Sequence, residues 1–424
     1  VDRRQFLRAS TAAAIAFRND AIDLAEQALR LTTSSPIADA EDEDYWSQIQ
    51  RAFSLDRTIV NFNNGGVCPS PTVVQDALRR YLEYSNQAPS YFMWRHLEPG
   101  IEAVRLRLAR AFGCDAEEIA ITRNASEALE TCLFGLTLNR GDEVLTTTQD
   151  YPRMIATLQQ RERRDGIRLV QASVPHKPDS HRNLVEAIEA KITSATRLIL
   201  FSHVAFLNGQ IYPVREIVRL GRRRGIPVVV DGAHAFAQFP VSNERMECDY
   251  YGVSLHKWLM APVGTGFLYV RREKIGDLWS LMASKEEQSK DIRKFEEIGT
   301  HPAANHNAIS EALTFNEAIG FERKAARLRY LRSLWALPIS GEDNVEFHTS
   351  LDASDSCGIT TVGIRGIRPE RLAAWLFEKK RIFVTTIDHP DFAGVRVTPN
   401  VYTTIDEVLR FRDAMLEAAR TGIA

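Results

Sequence analysis

Apolar and polar positions alternate along most of the chain in two rhythms, one with the period of a strand and one with that of a helix. Short β-branched or apolar runs at Glu118–Thr122, Val144–Thr147, Ile167–Ala172, Arg197–Ser202, Pro227–Val230, Tyr250–Ser254 and Gly266–Val270 read as buried strands. Helical periodicity fills most of the intervals, at Thr72–Tyr84, Leu97–Phe112, Glu127–Leu136, Arg153–Arg164, Leu184–Lys191 and Val214–Arg224. Strand and helix in turn predict a mostly parallel sheet of seven strands, with right-handed crossovers and helices on both faces. From Phe321 the rhythm changes. Helix Phe321–Leu334, strand Gly358–Ile364, helix Pro369–Lys380, strands Ile382–Thr385 and Gly394–Val397 and helix Ile405–Thr421 describe a smaller α+β unit. Thr404 and Glu407 form a capping box for the last helix.

These patterns divide the chain into a leader and linker (1–44), an N-terminal segment (45–71), a large domain (72–320) and a small C-terminal domain (321–424). The segment carries a helix over Tyr45–Phe53 and a strand over Thr58–Phe62. At 424 residues there is ample material for two cores. A net charge of −2 offers no basic field for nucleic acid. No run approaches the roughly 18 apolar residues of a membrane span. The five cysteines are scattered, odd in number and free of C-x-x-C spacing, so neither a disulfide framework nor a metal site is expected. Asp2-Arg3-Arg4-Gln5-Phe6-Leu7 resembles a twin-arginine export signal, which would place the protein in the periplasm. The competing reading is a helix running on through Asp20–Leu31, in a cytoplasmic protein.

The chemistry concentrates at two strand ends. Val228-Val229-Val230-Asp231-Gly232-Ala233-His234 ends a β-branched run in an acid. Tyr250-Tyr251-Gly252-Val253-Ser254-Leu255-His256-Lys257-Trp258 ends an apolar run in Ser, His and Lys. If the strands are parallel neighbours, Asp231 and Lys257 emerge at one carboxyl edge, where open α/β sheets bind ligands. A lysine and a carboxylate there suit pyridoxal phosphate. The lysine forms the Schiff base and the acid pairs with the pyridinium nitrogen. Upstream, Arg123-Asn124-Ala125-Ser126 joins a strand to a helix, and a helix N-terminus favours an anion. Asn124 or Ser126 acting as a simple cap uses the same geometry.

Asp-Gly-Ala-His, Ser-Leu-His-Lys-Trp and Gly264-Thr265-Gly266 together resemble the class V aminotransferase family of fold-type I pyridoxal-phosphate enzymes, and within it the isopenicillin N epimerase-like branch. The resemblance runs from about Asn61 to the C-terminus. It implies an internal Schiff base on Lys257, a ring-nitrogen partner in Asp231, and His234 against the phenolic oxygen. It implies a phosphate cup of Asn124, Ala125, Ser126, Ser254 and His256, and Tyr151 stacked on the ring. Substrate contacts would come from Asn64 and Gly65 in the entrance turn, and from Arg396 on the α-carboxylate of an amino acid. Thr300, in Gly299-Thr300-His301-Pro302, would cap the cofactor phosphate of a partner in a homodimer with shared sites. Ala205-Phe206 departs from the family, where a hydroxyl or amide often reaches the phenolic oxygen; Asn208 and His203 are the candidate substitutes.

The reactions expected are transamination or epimerisation at Cα, with C–S or other β-elimination as the alternative. An epimerase needs a second acid/base, for which Tyr151 and His389 are candidates. A desulfurase needs a mobile cysteine near Arg396, and the loop Thr385–Asp391 has none. A catalytically silent binding protein is disfavoured by the intact Asp231, Ser254 and Lys257.

Overall fold

The computed structural model describes residues 35–423. The twin-arginine-like motif and the Asp20–Leu31 helix lie outside the described residues. Thirteen strands are numbered in chain order: β1 Val60–Asn61, β2 Ile119–Thr122, β3 Glu143–Thr147, β4 Arg168–Ala172, β5 Thr196–Ser202, β6 Val228–Asp231, β7 Tyr250–Ser254, β8 Gly266–Val270, β9 Val345–Phe347, β10 Thr360–Ile364, β11 Ile382–Phe383, β12 Thr385–His389 and β13 Phe392–Val397.

Seven of them form one sheet in the order β2-β8-β7-β6-β5-β3-β4. All are parallel except β8, which runs antiparallel to both β2 and β7. This is the fold-type I arrangement expected. Successive residues of the central strands enter opposite cores: Ile199, Phe201, Val228 and Val230 pack on one face, and Leu198, Leu200 and Val229 on the other. That period-2 division is why these strands are apolar at every position. Helices cover both faces. One of them, Val214–Arg224, keeps the boundaries read from the sequence, as do Pro369–Lys380 and Ile405–Thr421 of the smaller domain.

The second, smaller sheet has the order β12-β13-β10-β9. Its core joins Trp335, Val395, Val397 and Phe411 to Val60 and Phe62 from the N-terminal segment. β1 pairs in parallel with β11, so the start and end of the described chain share a core. The predicted strand Thr58–Phe62 shrinks to two residues because only that short stretch finds a partner. The stretch 385–391 is not a loop. Thr385–His389 is a strand paired with β13, with Thr385 opposite Arg396. Residues 89–97, which include Tyr91, Phe92 and Trp94, fold as two short helical turns, Pro89–Phe92 and the π-helical Met93–Leu97.

Candidate active site

β6 and β7 are parallel neighbours with Asp231 opposite Gly252, so the edge predicted from the two motifs is formed. A cavity of about 440 Å³ opens there. Its wall includes Gly65, Asn124, Ala125, Ser126, Tyr151, Asp231, His234, Ser254, His256, Lys257 and Arg396. Chain segments more than 300 residues apart in sequence are thus brought to one place.

Gly232 lets β6 turn sharply beyond Asp231, because a Cβ there would lie 1.9 Å from the Tyr251 ring. The Asp231 carboxylate accepts the Ala233 N–H at 2.9 Å. Among the described residues no lysine or arginine forms an ion pair with it, and burial raises its pKa to about 6. Lys257 Nζ lies 3.1 Å from His234 Nε2. Desolvation brings the lysine down to about 8, with Asp231 opposing the shift. Desolvation also drives His234 well below its ordinary range, so the imidazole is neutral. Its Nδ1 is buried and has no protein partner.

Asn124 caps helix Ala125–Gly135 by accepting the Glu127 N–H. The Ala125 N–H donates to Ser254 Oγ at 2.9 Å, which leaves the serine proton available. Gly266 on β8 makes this approach possible. A Cβ there would meet Val253 O at 2.5 Å and Asn124 Cα at 2.7 Å. His256 is held through Nδ1 against Thr265 O at 3.3 Å. On the opposite wall Arg396 donates from Nη1 to Phe206 O and from Nη2 to Asn63 Oδ1, at 2.8 and 3.0 Å. Its Nε is buried without a partner, and burial lowers its pKa to about 10.

Several expectations fall elsewhere. Asn64 is fully buried behind the wall. Its amide donates to Asn61 O and Thr398 O and accepts from Tyr402, so it positions the turn while Gly65 and Gly66 face the cavity. His203 and Asn208 do not reach the cavity either. His203 Nδ1 contacts Tyr251 OH, and the Asn208 amide serves His176 O and His348 O. His389 Nε2 lies against Thr148 O. Thr300 is exposed and off the cavity wall of its own chain, and the following helix is capped at Pro302. Tyr151 immediately precedes helix Pro152–Asp165, without a capping hydrogen bond from its side chain, and lines the cavity while 41% exposed.

Ser202 was missed. It ends β5 opposite Asp231 and lines the cavity. Its N–H and Oγ both donate to Asp150, a carboxylate that also receives Thr146 Oγ1, Thr147 Oγ1 and the Thr147 N–H. The carboxyl-edge rule that selected Asp231 would have found Ser202 too.

Residues 59–411 match the family described as aminotransferase class V. The chain belongs to that family. Its cofactor is pyridoxal 5′-phosphate. This class V chain is 29% identical over 394 residues to isopenicillin N epimerase of Amycolatopsis lactamdurans, covering 88% of this chain and 99% of the relative. It is 24% identical to hercynylcysteine sulfoxide lyase of Schizosaccharomyces pombe, covering 67% and 75%. The apo cysteine desulfurase of Thermococcus onnurineus superposes with a TM-score of 0.76 at 21% identity, covering 88% and 98%, a likeness of fold. No helix among the described residues is long and apolar enough to cross a membrane.

Proposed function

We propose that this pyridoxal-phosphate enzyme moves a proton at Cα of an α-amino acid, with transamination as its reaction. The observation that carries the reading is the convergence of Lys257, Asp231 and Arg396 on one cavity. The residues present fit the cofactor. A buried carboxylate without an ion-pair partner, a neutral His234 whose Nε2 faces Lys257 Nζ, and a helix N-terminus beside Ser254 suit a ring nitrogen, a phenolic oxygen and a phosphate.

When bound, pyridoxal phosphate supplies an aldehyde that captures amines and a ring that draws the electron pair from Cα. Asp231, anionic above about pH 6, holds a proton on the ring nitrogen. Lys257, with a pKa near 8, has a neutral fraction at physiological pH and takes the Cα proton. Ser126, Ser254 and the Ala125 turn hold the phosphate, with Asn124 and His256 beside them. Tyr151 covers one ring face and excludes water. Arg396 grips the substrate carboxylate through its planar fork, and Gly65 lets the substrate approach. Two chains assemble as a homodimer, each lending Thr300 to the other's phosphate.

Epimerisation is the second reading, favoured by Tyr151 on the cavity wall as a second acid/base and by the epimerase relatives. None of the five cysteines lies on that wall, which counts against a desulfurase. A panel of L- and D-amino acids, with and without a keto-acid acceptor, tests these readings. Keto acid that appears only with acceptor supports transamination. Inversion without acceptor supports epimerisation. Ammonia or sulfide released without acceptor would overturn both in favour of elimination.

A further inference from the structure

The wall of the cavity beside Arg396 is built unlike the rest. Phe206 follows the end of β5, at the place where its carbonyl receives Arg396 Nη1. Its ring meets Tyr151 edge to face, with centroids 5.4 Å apart and planes at 83°. Behind it sit Leu207, Ile387 and Phe392, all buried and packed with Phe206 in one small apolar cluster. Ile387 also reaches the cavity, from the middle of β12. Among the described residues the only charged side chains on the cavity wall are Asp231, Lys257 and Arg396, and each already has a task. The two histidines there, His234 and His256, are pushed toward neutrality by burial. A side chain leaving Cα on the Arg396 side therefore meets an aromatic edge, an aliphatic surface and the uncharged Thr385 and Thr386 of β12, with neither a cation nor an anion to spare.

We infer that Phe206, with Tyr151 and Ile387, is a specificity surface that selects α-amino acids with uncharged apolar or aromatic side chains. This rests on the reading of Arg396 as the carboxylate contact. Burial of apolar surface supplies the preference for large side chains. Desolvation of a second carboxylate or an ammonium without a counter-charge supplies the discrimination against acidic and basic ones. Because the bond to Arg396 uses the backbone carbonyl of residue 206, replacing the side chain leaves that bond in place. Carboxylate binding and side-chain selection are thus separable by mutation.

The holoenzyme is titrated with L-alanine, L-leucine, L-phenylalanine, L-aspartate and L-lysine, and binding is followed by the cofactor's visible absorption. Leucine and phenylalanine should bind about tenfold or more tighter than alanine, the scale of hydrophobic-pocket selection, and aspartate and lysine more weakly than alanine. Phe206→Ala should reduce the leucine-to-alanine ratio severalfold. Phe206→Leu, a milder change should the alanine variant fold poorly, should keep the preference for leucine and lose more of that for phenylalanine. A preference for aspartate or lysine, or an unchanged ratio in well-folded Phe206→Ala, would overturn the inference. If the cofactor is bound but no amino acid perturbs its absorption, the amino-acid reading itself fails, and the preference with it.

Discussion

Replacing Gly266 with alanine should loosen the phosphate turn without touching any cofactor-facing side chain. The added Cβ would stand 2.5 Å from Val253 O, 2.7 Å from Asn124 Cα and 2.8 Å from Asn124 C, whereas ordinary contact begins at 3.4 Å. Relief needs a movement of about 0.9 Å, the difference between 3.4 and 2.5 Å. Every clashing atom is backbone, so no side chain can swing aside. Residue 266 is also fixed on both sides, opposite Thr122 on β2 and Ser254 on β7. The 0.9 Å lies against Val253 O and can be relieved only by parting β8 from β7, while the Asn124–Ser126 turn must give by about 0.7 Å, the difference between 3.4 and 2.7 Å, which strains the Ala125 N–H to Ser254 bond. Overpacking of this kind costs roughly 1–3 kcal/mol. We expect the midpoint of urea unfolding to fall and pyridoxal phosphate to bind roughly ten- to a hundredfold more weakly, equivalent to about 1.4–2.8 kcal/mol. Equilibrium dialysis of the apo-protein measures the second quantity. Gly341→Ala is the control, because a Cβ there has nothing within 4 Å and the backbone is not left-handed. Wild-type cofactor affinity and stability in Gly266→Ala would refute the reasoning.

Four other outcomes follow from the same geometry. Because desolvation lowers Lys257 to about 8, the neutral amine appears at lower pH than for a free lysine. The rate at which apo-protein takes up pyridoxal phosphate onto Lys257 should therefore rise with a midpoint near pH 8, and a midpoint near 10 would contradict the assignment. Asp231→Asn should retain cofactor but lose about 3 kcal/mol of catalysis, roughly a hundredfold or more in kcat, measured against the panel's best substrate. Arg396→Lys keeps the charge but loses the fork to Phe206 O and Asn63 Oδ1; amino-acid binding should weaken by roughly 1.5–3 kcal/mol, while borohydride still fixes cofactor to Lys257. In a shared-site homodimer, mixing Lys257→Ala with Thr300→Ala should restore activity, since one site in each hybrid carries neither lesion. Proven heterodimer without recovery would count against Thr300 acting across the interface.

The parallel strands and their crossover helices were readable because the central apolar runs are buried on both faces and each helix shows its own period. Asp231 and Lys257 were readable because a strand end fixes where the next few residues emerge. Asn64 misled for the opposite reason. In the sequence it is one of two adjacent asparagines beside two glycines, and only its hydrogen bonds to Thr398 and Tyr402, more than 330 residues away, turn its side chain from the cavity. The segment after residue 384 read as a loop because β12 alternates weakly; its pairing with β13, not its composition, makes it a strand. Ser202 stands at a strand end that the rule for Asp231 also marks, whereas Phe206 acquires its place from Arg396 on β13, which no local pattern reports.

Pairing of β1 with β11, reinforced by the Asn63–Thr398 bridge, has a consequence for the order in which the protein is made. Gly65 leaves the ribosome more than 300 residues before the strand bearing Arg396. At roughly 5–20 residues per second, the two are separated by tens of seconds of synthesis. Over that interval the seven-stranded sheet can assemble around Lys257, while Val60 and Phe62 wait, apolar and uncovered, for partners not yet translated. Until those partners emerge, the segment bearing Val60 and Phe62 is exposed to aggregation. A prematurely terminated chain would keep its lysine and carboxylate yet lack the Arg396 strand and the cover for β1.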